Sequence, residues 1–293
     1  MTTASITRAG LVAKHGLAAS DHLERLVAWL HARDIEAVFE TETASLAGTR
    51  PPVSWSRDDL PNHVDLIIIL GGDGTLLSMA TRIARTGRDV PMLGVNFGSL
   101  GFLTETRIDE LYATLELVIA GKATYDERAL LAADAYRTRE LFDSRVVLND
   151  VVFTKAALSR IIELSVSVST GLVTKVKADG LIVASATGST AYNLAAGGPI
   201  VHPRVDALVL TPIAPHTLTH RPIIIPGTEV VDERPLPDAG AEDIYVTYDG
   251  QTGYPLQKGD SVRIRKHGHV RLVKAPARSY FEVLREKLKW GER

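Results

Sequence analysis

The residues best suited to chemistry lie in a glycine turn, Gly71 to Thr75, which reads Gly-Gly-Asp-Gly-Thr. Five large apolar residues, Leu66 to Leu70, precede it, and an apolar pattern of helical spacing follows. This order predicts a buried strand, a tight turn and a helix whose N-terminus favours an anion. A carboxylate there would repel bare phosphate unless it accepts a proton or interacts with a magnesium ion. The turn therefore indicates phosphoryl transfer, with Asp73 as the candidate catalytic residue.

Taken alone, the glycine turn is also compatible with a plain connection between a strand and a helix. It is not a Walker loop, because no Gly-Lys-Ser/Thr follows, and it does not match the Gly-x-Gly-x-x-Gly dinucleotide fingerprint. The predicted phosphate-donor loop consists of Gly71, Gly72, Gly74 and Thr75.

A second stretch places small hydroxyl residues after an acidic turn and an apolar strand. Asp179 precedes the apolar run Leu181 to Ala184. Thr187 to Asn193 follow shortly after this run, with the sequence Thr-Gly-Ser-Thr-Ala-Tyr-Asn. Hydroxyls and free amides on such a turn form a polar pocket that a ribose can enter. The alternative for this stretch alone is a hydroxyl-rich helix N-cap.

Together the two stretches resemble the bacterial NAD kinase family, whose markers they match in order. Further markers are the pair Asn149-Asp150 and the late Asp249-Gly250-Gln251, and the stretch from Asn96 to Thr104 is similar to another family segment. The first motif is shared with lipid kinases and more loosely with phosphofructokinases, whereas the second is much more specific. The resemblance covers about residues 65 to 255.

The resemblance implies phosphorylation of the 2′-hydroxyl of the adenosine ribose of NAD, giving NADP, with Asp73 accepting the hydroxyl proton. ATP or polyphosphate would be the donor, with Mg²⁺ at its phosphates and no dedicated protein metal site. A homodimer or homotetramer is also implied. The NAD-binding residues it assigns are Asp73, Gly74, Asn149, Asp150, Arg160, Lys177, Asp179, Thr187, Thr190, Ala191, Tyr192, Asn193, Leu194, Ala195, Ala214 and Gln251.

Two positions depart from the family pattern. Asp150 replaces the usual glutamate, which shortens the side chain by one C–C bond, roughly 1.5 Å. Its contact is then lost, bridged by water or recovered by a backbone shift. Ser185-Ala186 stands where the family usually has Thr-Pro, which predicts a less rigid approach to the hydroxyl residues.

The helices and strands that must position these residues follow two different sequence patterns, one in each half of the chain. Strands alternate with helices over residues 1 to about 120, including a helix from about Leu76 to Arg85. This alternation predicts a parallel sheet with ligands at the carboxyl ends of its strands. Short strand patterns follow, such as Arg145 to Thr154, and predict an all-β second domain. An amphipathic segment, Phe281 to Trp290, predicts a final helix.

We therefore predict an α/β domain over residues 1–122, a β-rich NAD-binding domain over 123–275, and a C-terminal helix over 276–293 that packs back on the first domain. The resemblance implies a doubly wound nucleotide-binding fold for the first, like that of diacylglycerol kinases and phosphofructokinases, and an NAD kinase fold for the second.

Composition excludes several classes of protein. Of the 293 residues, 45% are apolar and 23% charged, as in globular domains. The formal charge of −2 provides no basic field for nucleic acid. Without cysteine there is no disulfide framework and no thiolate nucleophile. No apolar run approaches the roughly 20 residues of a membrane span, so we predict a cytoplasmic protein without membrane contact.

Two other functions remain open from the sequence. A lipid or sugar kinase would share the glycine turn without needing the hydroxyl residues, and a non-catalytic NAD sensor would not need Asp73. A zinc site at His216 and His220 is disfavoured, because Pro215 and Pro222 argue against one helix carrying both.

Overall fold

The chain divides into two compact units in a computed structural model that describes residues 6–47, 53–98, 100–155, 161–217, 219–236, 244–275 and 278–290. The first unit is Met1–Glu127 with Val270–Arg293, and the second is Arg128–His269. The boundaries predicted from the sequence stay predictions. Within the described ranges no helix is both long and apolar enough to cross a membrane.

The strands are β1 Arg8–Ala13, β2 Glu36–Glu40, β3 Ser54–Trp55, β4 Leu66–Leu70, β5 Met92–Asn96, β6 Thr106–Arg107, β7 Tyr125–Arg137, β8 Glu140–Val147, β9 Asp150–Lys155, β10 Ile162–Val168, β11 Gly171–Ala178, β12 Gly180–Ser185, β13 Ala207–Ile213, β14 Ile223–Pro226, β15 Val231–Pro235, β16 Ile244–Tyr248, β17 Thr252–Pro255 and β18 Asp260–Val273. The helices are α1 Ser20–His31, α2 Thr41–Ala44, α3 Asp73–Thr86, α4 Leu111–Ile119, α5 Tyr192–Ala195 and α6 Tyr280–Leu288, with 3₁₀ turns at Leu60–Asn62, Ile108–Glu110 and Gly188–Thr190.

The first unit contains a parallel sheet in the order β3-β2-β1-β4-β5. Every residue of β4 is buried, which is why this strand reads as a continuous apolar run. The chain builds outward from β1 to β3 on one side and then continues at β4 on the other. The order reverses between β1 and β4, and in open α/β sheets ligands bind at such a switch point.

Helix α3 begins at Asp73 and not at the predicted Leu76. Gly72 is its N-cap, in an extended conformation, so the acidic residue occupies the first helical turn. A negative side chain is stabilising there because the helix dipole places partial positive charge at the N-terminus. Apolar spacing alone could not reveal this start, because the first turn carries no core residue before Leu76.

The second unit consists of antiparallel strands whose inner faces share one core. One group pairs in the order β11-β10-β15-β18, and a six-stranded sheet has the order β14-β13-β12-β9-β16-β17. Phe153, Leu164 and Leu181 lie fully or almost fully buried in the core. The predicted α/β and β-rich classes are confirmed. The segment predicted as β-rich over Arg145 to Thr154 spans the end of β8 and most of β9, with Leu148 and Asn149 between the two strands.

Candidate functional site

The glycine turn lies at the switch point of the parallel sheet. The Lys14 amide donates to the Leu70 carbonyl at 2.8 Å, and the Gly71 amide donates to the Val95 carbonyl at 2.9 Å. The carboxyl ends of β1, β4 and β5 therefore meet here. A β-carbon at position 71 would come within 3.0 Å of the Lys14 β-carbon and of the Thr75 Oγ1 atom. A side chain at this position would therefore require its neighbours to shift, which favours glycine there.

The Asp73 carboxylate is held by the chain that follows β5. Its Oδ1 atom accepts hydrogen bonds from the Leu103 amide at 3.1 Å, the Thr104 amide at 2.9 Å and the Thr104 hydroxyl at 2.8 Å. Its Oδ2 atom accepts the Phe102 amide at 2.8 Å. The four donors orient the carboxylate, and within the described ranges Oδ2 carries only one of them. Oδ2 is therefore the oxygen with more room to accept a proton.

Gly101 makes this arrangement possible. A β-carbon at position 101 would overlap with the Asp73 carboxylate and with the Thr104 hydroxyl. The Asn96 side-chain amide donates to the same hydroxyl at 3.1 Å, which orients it toward Asp73. The stretch from Asn96 to Thr104, noted in the sequence as a further marker, thus serves to position the catalytic candidate.

In the second unit, Leu148 to Asp150 forms a short segment, the 148–150 segment, that Asp249 holds by its side chain. One carboxylate oxygen accepts the amides of Asn149 at 2.7 Å and Asp150 at 3.1 Å, and the other accepts the Leu148 amide at 2.9 Å. The Asp249 amide donates back to the Asp150 carbonyl at 3.0 Å. Asp249 adopts a left-handed backbone, with φ of 51°. An aspartate tolerates this conformation better than most residues.

Both carboxyl groups in this region have raised pKa values. Burial, followed by the charge of Asp249, raises the pKa of Asp150 to about 7. Burial also raises the pKa of Asp249 to about 6, and its three amide hydrogen bonds limit the rise because they favour the charged form. The predicted ligand contact of Asp150 thus comes from a carboxyl group that titrates near neutral pH. Such groups are enriched at functional sites.

Ser185, one of the two departures from the family pattern, connects the 148–150 segment to the hydroxyl turn, Thr187 to Thr190. Its hydroxyl donates to the Leu148 carbonyl at 2.6 Å and accepts the Gly188 amide at 3.0 Å. Its amide donates to the Asn149 carbonyl at 2.8 Å. A β-carbon at Gly188 would overlap with the Asn149 carbonyl, so the two pieces of chain are in close contact. The structure therefore brings together Asn149, Asp150 and the hydroxyl turn.

The residues after the hydroxyl turn differ in exposure. Tyr192 is 45% exposed, and Ala195 is also exposed, whereas Asn193 is fully buried. The Asn193 side-chain amide donates to the carbonyls of Ser189 and Pro199, and its oxygen accepts the Thr211 hydroxyl at 2.6 Å. The Asn193 side chain therefore holds the turn together from inside. Thr190, Ala191 and Leu194 are partly exposed, and Thr187 is buried.

A second group of predicted residues lies where β11 and β13 end. The Asp179 carboxylate pairs with Lys155 at 2.8 Å, and its amide donates to the Ile213 carbonyl. Ala214 follows with φ of 43° and is exposed. Lys177 pairs with Glu163 at 2.7 Å.

The remaining predicted positions and sites are placed as follows. Gln251 is exposed, and Arg160 lies outside the described residues. A cavity of about 290 Å³, lined by side chains such as Val166, Leu181 and Leu210, contains none of the predicted site residues. Within the described ranges, no group of three or more His, Cys, Asp or Glu side chains is arranged to hold a metal ion.

Sequence reasoning missed two residues that position the site. Asp249 was noted only as part of a late marker, and Ser185 only as a departure from the family pattern. The signal for Asp249 was the Asp-Gly pair at the end of a strand, which is typical of a turn with a left-handed residue. Neither signal specified a partner, because both partners lie far away in the chain.

Known proteins match this chain over nearly its whole length. The family model described as the ATP-NAD kinase N-terminal domain matches residues 10–123, and that of the ATP-NAD kinase C-terminal domain matches residues 148–275. An NAD kinase of Syntrophotalea carbinolica is 49% identical over 270 residues, covering 92% of this chain and 93% of the relative. An NAD kinase of Geobacter sulfurreducens is 47% identical over 269 residues, with the same coverage.

Two solved structures share the fold. Yeast NADH kinase in complex with NADH superposes with a TM-score of 0.87 at 23% identity, covering 99% of this chain and 89% of that chain. An NAD kinase from Archaeoglobus fulgidus in complex with ATP superposes with a TM-score of 0.73 at 23% identity, covering 95% of this chain and 99% of that chain.

Proposed function

The chain belongs to the NAD kinase family, whose members convert NAD to NADP, and we propose that its Asp73 addresses the 2′-hydroxyl of the adenosine ribose. The observation that carries this proposal is the Asp73 carboxylate itself. It belongs to the glycine turn at the N-terminus of α3, and four donors from the chain after β5 orient it.

Asp73 acts as the proton acceptor through its Oδ2 atom. The ribose 2′-oxygen forms a bond to the γ-phosphorus of ATP, the bond from that phosphorus to the β,γ-bridging oxygen breaks, and ADP leaves. The hydroxyl proton passes to Asp73. A positioned carboxylate contributes about 10² to 10⁴-fold as a general base. Holding the hydroxyl in line with the phosphorus contributes more, because a ribose hydroxyl is a poor nucleophile.

The glycine turn binds the phosphates of the donor. Gly72 caps α3, and the following residues occupy its first turn, where backbone amides and the helix dipole favour an anion. Within the described part of the chain, Gly72 and Gly74 have open space where a β-carbon would lie, so the backbone there can be approached closely. Gly71 and Thr75 shape the turn by packing against each other.

NAD binds to the predicted residues of the second unit. The exposed ring of Tyr192 offers a surface on which a base can stack, and Asn149 and Asp150 offer polar side chains beside the hydroxyl turn. We assign the buried Asn193 side chain a positioning role, since its polar atoms bond within the protein. Lys177, Asp179, Ala214 and Gln251 keep their predicted assignment to NAD.

Mg²⁺ is expected to arrive on the phosphates of ATP. The described residues offer no protein-built metal cage, and Mg²⁺ in kinases is commonly bound by one or two carboxylates together with substrate phosphates. When bound, the ion neutralises charge on the transferred group. Polyphosphate as an alternative donor, the homodimer or homotetramer and the cytoplasmic location stay predictions.

A single assay tests the proposed function: purified protein is incubated with ATP, Mg²⁺ and NAD, and NADP is measured with an NADP-specific dehydrogenase. We expect ATP-dependent accumulation of NADP. Binding of NAD without turnover would instead support a sensor. Absence of both binding and turnover would favour a lipid or sugar kinase. Parallel reactions with polyphosphate and with NADH determine the donor and the acceptor.

A further inference from the structure

The Asp249 carboxylate accepts three backbone amides, among them those of the predicted NAD-binding residues Asn149 and Asp150, and the proposed mechanism does not use it. We propose that Asp249 is a positioning residue that holds Asn149 and Asp150 in the conformation that binds NAD. The proposal rests on the proposed function. It concerns how the pocket is kept in shape, and Asp249 itself is given no contact with the substrate.

The Asp249 carboxylate acts as a clamp, by which we mean that it binds several backbone amides of the 148–150 segment at once. Its two oxygens accept all three amides of the 148–150 segment, and its own amide donates to the Asp150 carbonyl. Leu148 and Asn149 lie between β8 and β9, and Asp150 is the first residue of β9, so the segment lies where the chain passes from one strand to the next. Buried amides without partners are costly. Asp249 supplies those partners from a position about a hundred residues later in the chain.

Further hydrogen bonds connect the 148–150 segment to the hydroxyl turn through Ser185. Leu148 and Asn149 present their carbonyls to Ser185, and Ser185 in turn accepts the Gly188 amide. Because Gly188 lies in van der Waals contact with the Asn149 backbone, a shift of the 148–150 segment would displace the hydroxyl turn as well. One carboxylate thus fixes two of the predicted NAD-binding pieces relative to each other.

An amide side chain cannot replace this carboxylate. In Asp249→Asn one oxygen becomes an NH₂ group, and a donor then faces a backbone donor. We expect the 148–150 segment to move and the substrate to bind more weakly. The chemical step itself should change less, because Asp73 is untouched.

Asp65 offers a matched control. Its Oδ2 atom accepts the amides of Thr7 and Arg8 and the Thr7 hydroxyl, so this carboxylate also binds several backbone amides. Asp65 lies in the first unit, directly before β4. Asp65→Asn should lower the melting temperature without changing the KM for NAD.

The experiment compares Asp249→Asn, Asp65→Asn and wild type in thermal melts and in steady-state kinetics with NAD varied at saturating ATP. We expect the KM for NAD to rise at least tenfold in Asp249→Asn, with kcat reduced less than threefold, and to stay within twofold of wild type in Asp65→Asn. A KM for NAD within twofold of wild type in Asp249→Asn overturns the proposal, as does an equal rise in Asp65→Asn.

Should Asp249→Asn fail to fold, Asp249→Glu takes its place under the same criteria, because it keeps the charge but lengthens the side chain. Wild-type NADP formation is measured first. Its absence would contradict the proposed function, whereas an active wild type with an unchanged KM in the variant would contradict only the role of Asp249.

Discussion

Gly101 and Asp73 are so close that a β-carbon on residue 101 would occupy the space of the Asp73 Oδ1 atom. The glycine lets the chain pass the carboxylate closely enough for the amides of residues 102 to 104 to reach it. A loop residue without a side chain thus determines the position of the candidate base.

Gly101→Ala should displace the Asp73 carboxylate and lower kcat at least tenfold, equivalent to about 1.4 kcal/mol in activation free energy. Gly98→Ala is the matched control in the same loop, because a β-carbon at Gly98 would have, among the described residues, only the Asn96 side-chain oxygen near it, at 3.9 Å. Steady-state kinetics at saturating NAD and ATP measure both. Equal activity of the two variants would show that Asp73 does not depend on this glycine.

Asp73→Asn should fold and lose at least about 10²-fold in turnover, because an amide cannot accept the hydroxyl proton. Its Oδ1 position can still accept the three donors from residues 103 and 104, and of the described donors only the Phe102 amide would face the new NH₂ group, so we expect folding to be retained with a limited loss of stability. Rates of NADP formation, together with the melting temperature, measure the two effects separately. Turnover near that of wild type would remove Asp73 from the base role.

Asn193→Ala should lower the free energy of unfolding by about 2 to 4 kcal/mol, because it leaves buried polar groups without partners. Those groups are the Thr211 hydroxyl and the carbonyls of Ser189 and Pro199. Asn62→Ala, at an exposed position, serves as the control and should change the value by less than about 0.5 kcal/mol. Urea unfolding followed by circular dichroism measures both. Similar stabilities would mean that the buried amide contributes little.

Glu233 makes the stability of the second unit depend on pH. It is fully buried on β15 opposite Val166 and Val262, and neither carboxyl oxygen has a hydrogen-bond partner among the described residues. Burial, followed by the charge of Asp232, raises the pKa of Glu233 well above its usual 4.5. The folded protein therefore retains a proton that the unfolded chain releases.

Glu233 should consequently lower the free energy of unfolding as pH rises above about 4.5, contributing up to about 1.4 kcal/mol per pH unit until its folded pKa is reached. Glu233→Gln removes this dependence, so its stability relative to wild type should increase between pH 5 and pH 8. The exposed Glu140→Gln is the control and should keep a constant difference from wild type. Urea unfolding at several pH values provides the test. A constant difference for Glu233→Gln would contradict the prediction.

The local features were predictable from the sequence alone. The apolar run before the glycine turn predicted β4, because a strand buried on both faces carries no polar residue. The alternation of strands and helices predicted the α/β unit, and the short alternating patterns predicted the β-rich one. The glycine turn and the hydroxyl turn identified the family, since their residue types are set by short-range backbone and ligand requirements.

Only the tertiary structure decided which groups these residues meet. The donors to Asp73 come from residues 29 to 31 positions later, and Asp249 reaches amides 99 to 101 positions earlier. The same holds for Asn193, which the resemblance assigned to NAD and which packing places inside the protein. Periodicity and propensity report on neighbours within a few residues, whereas these hydrogen bonds form between segments that only the packing of sheets and turns brings together.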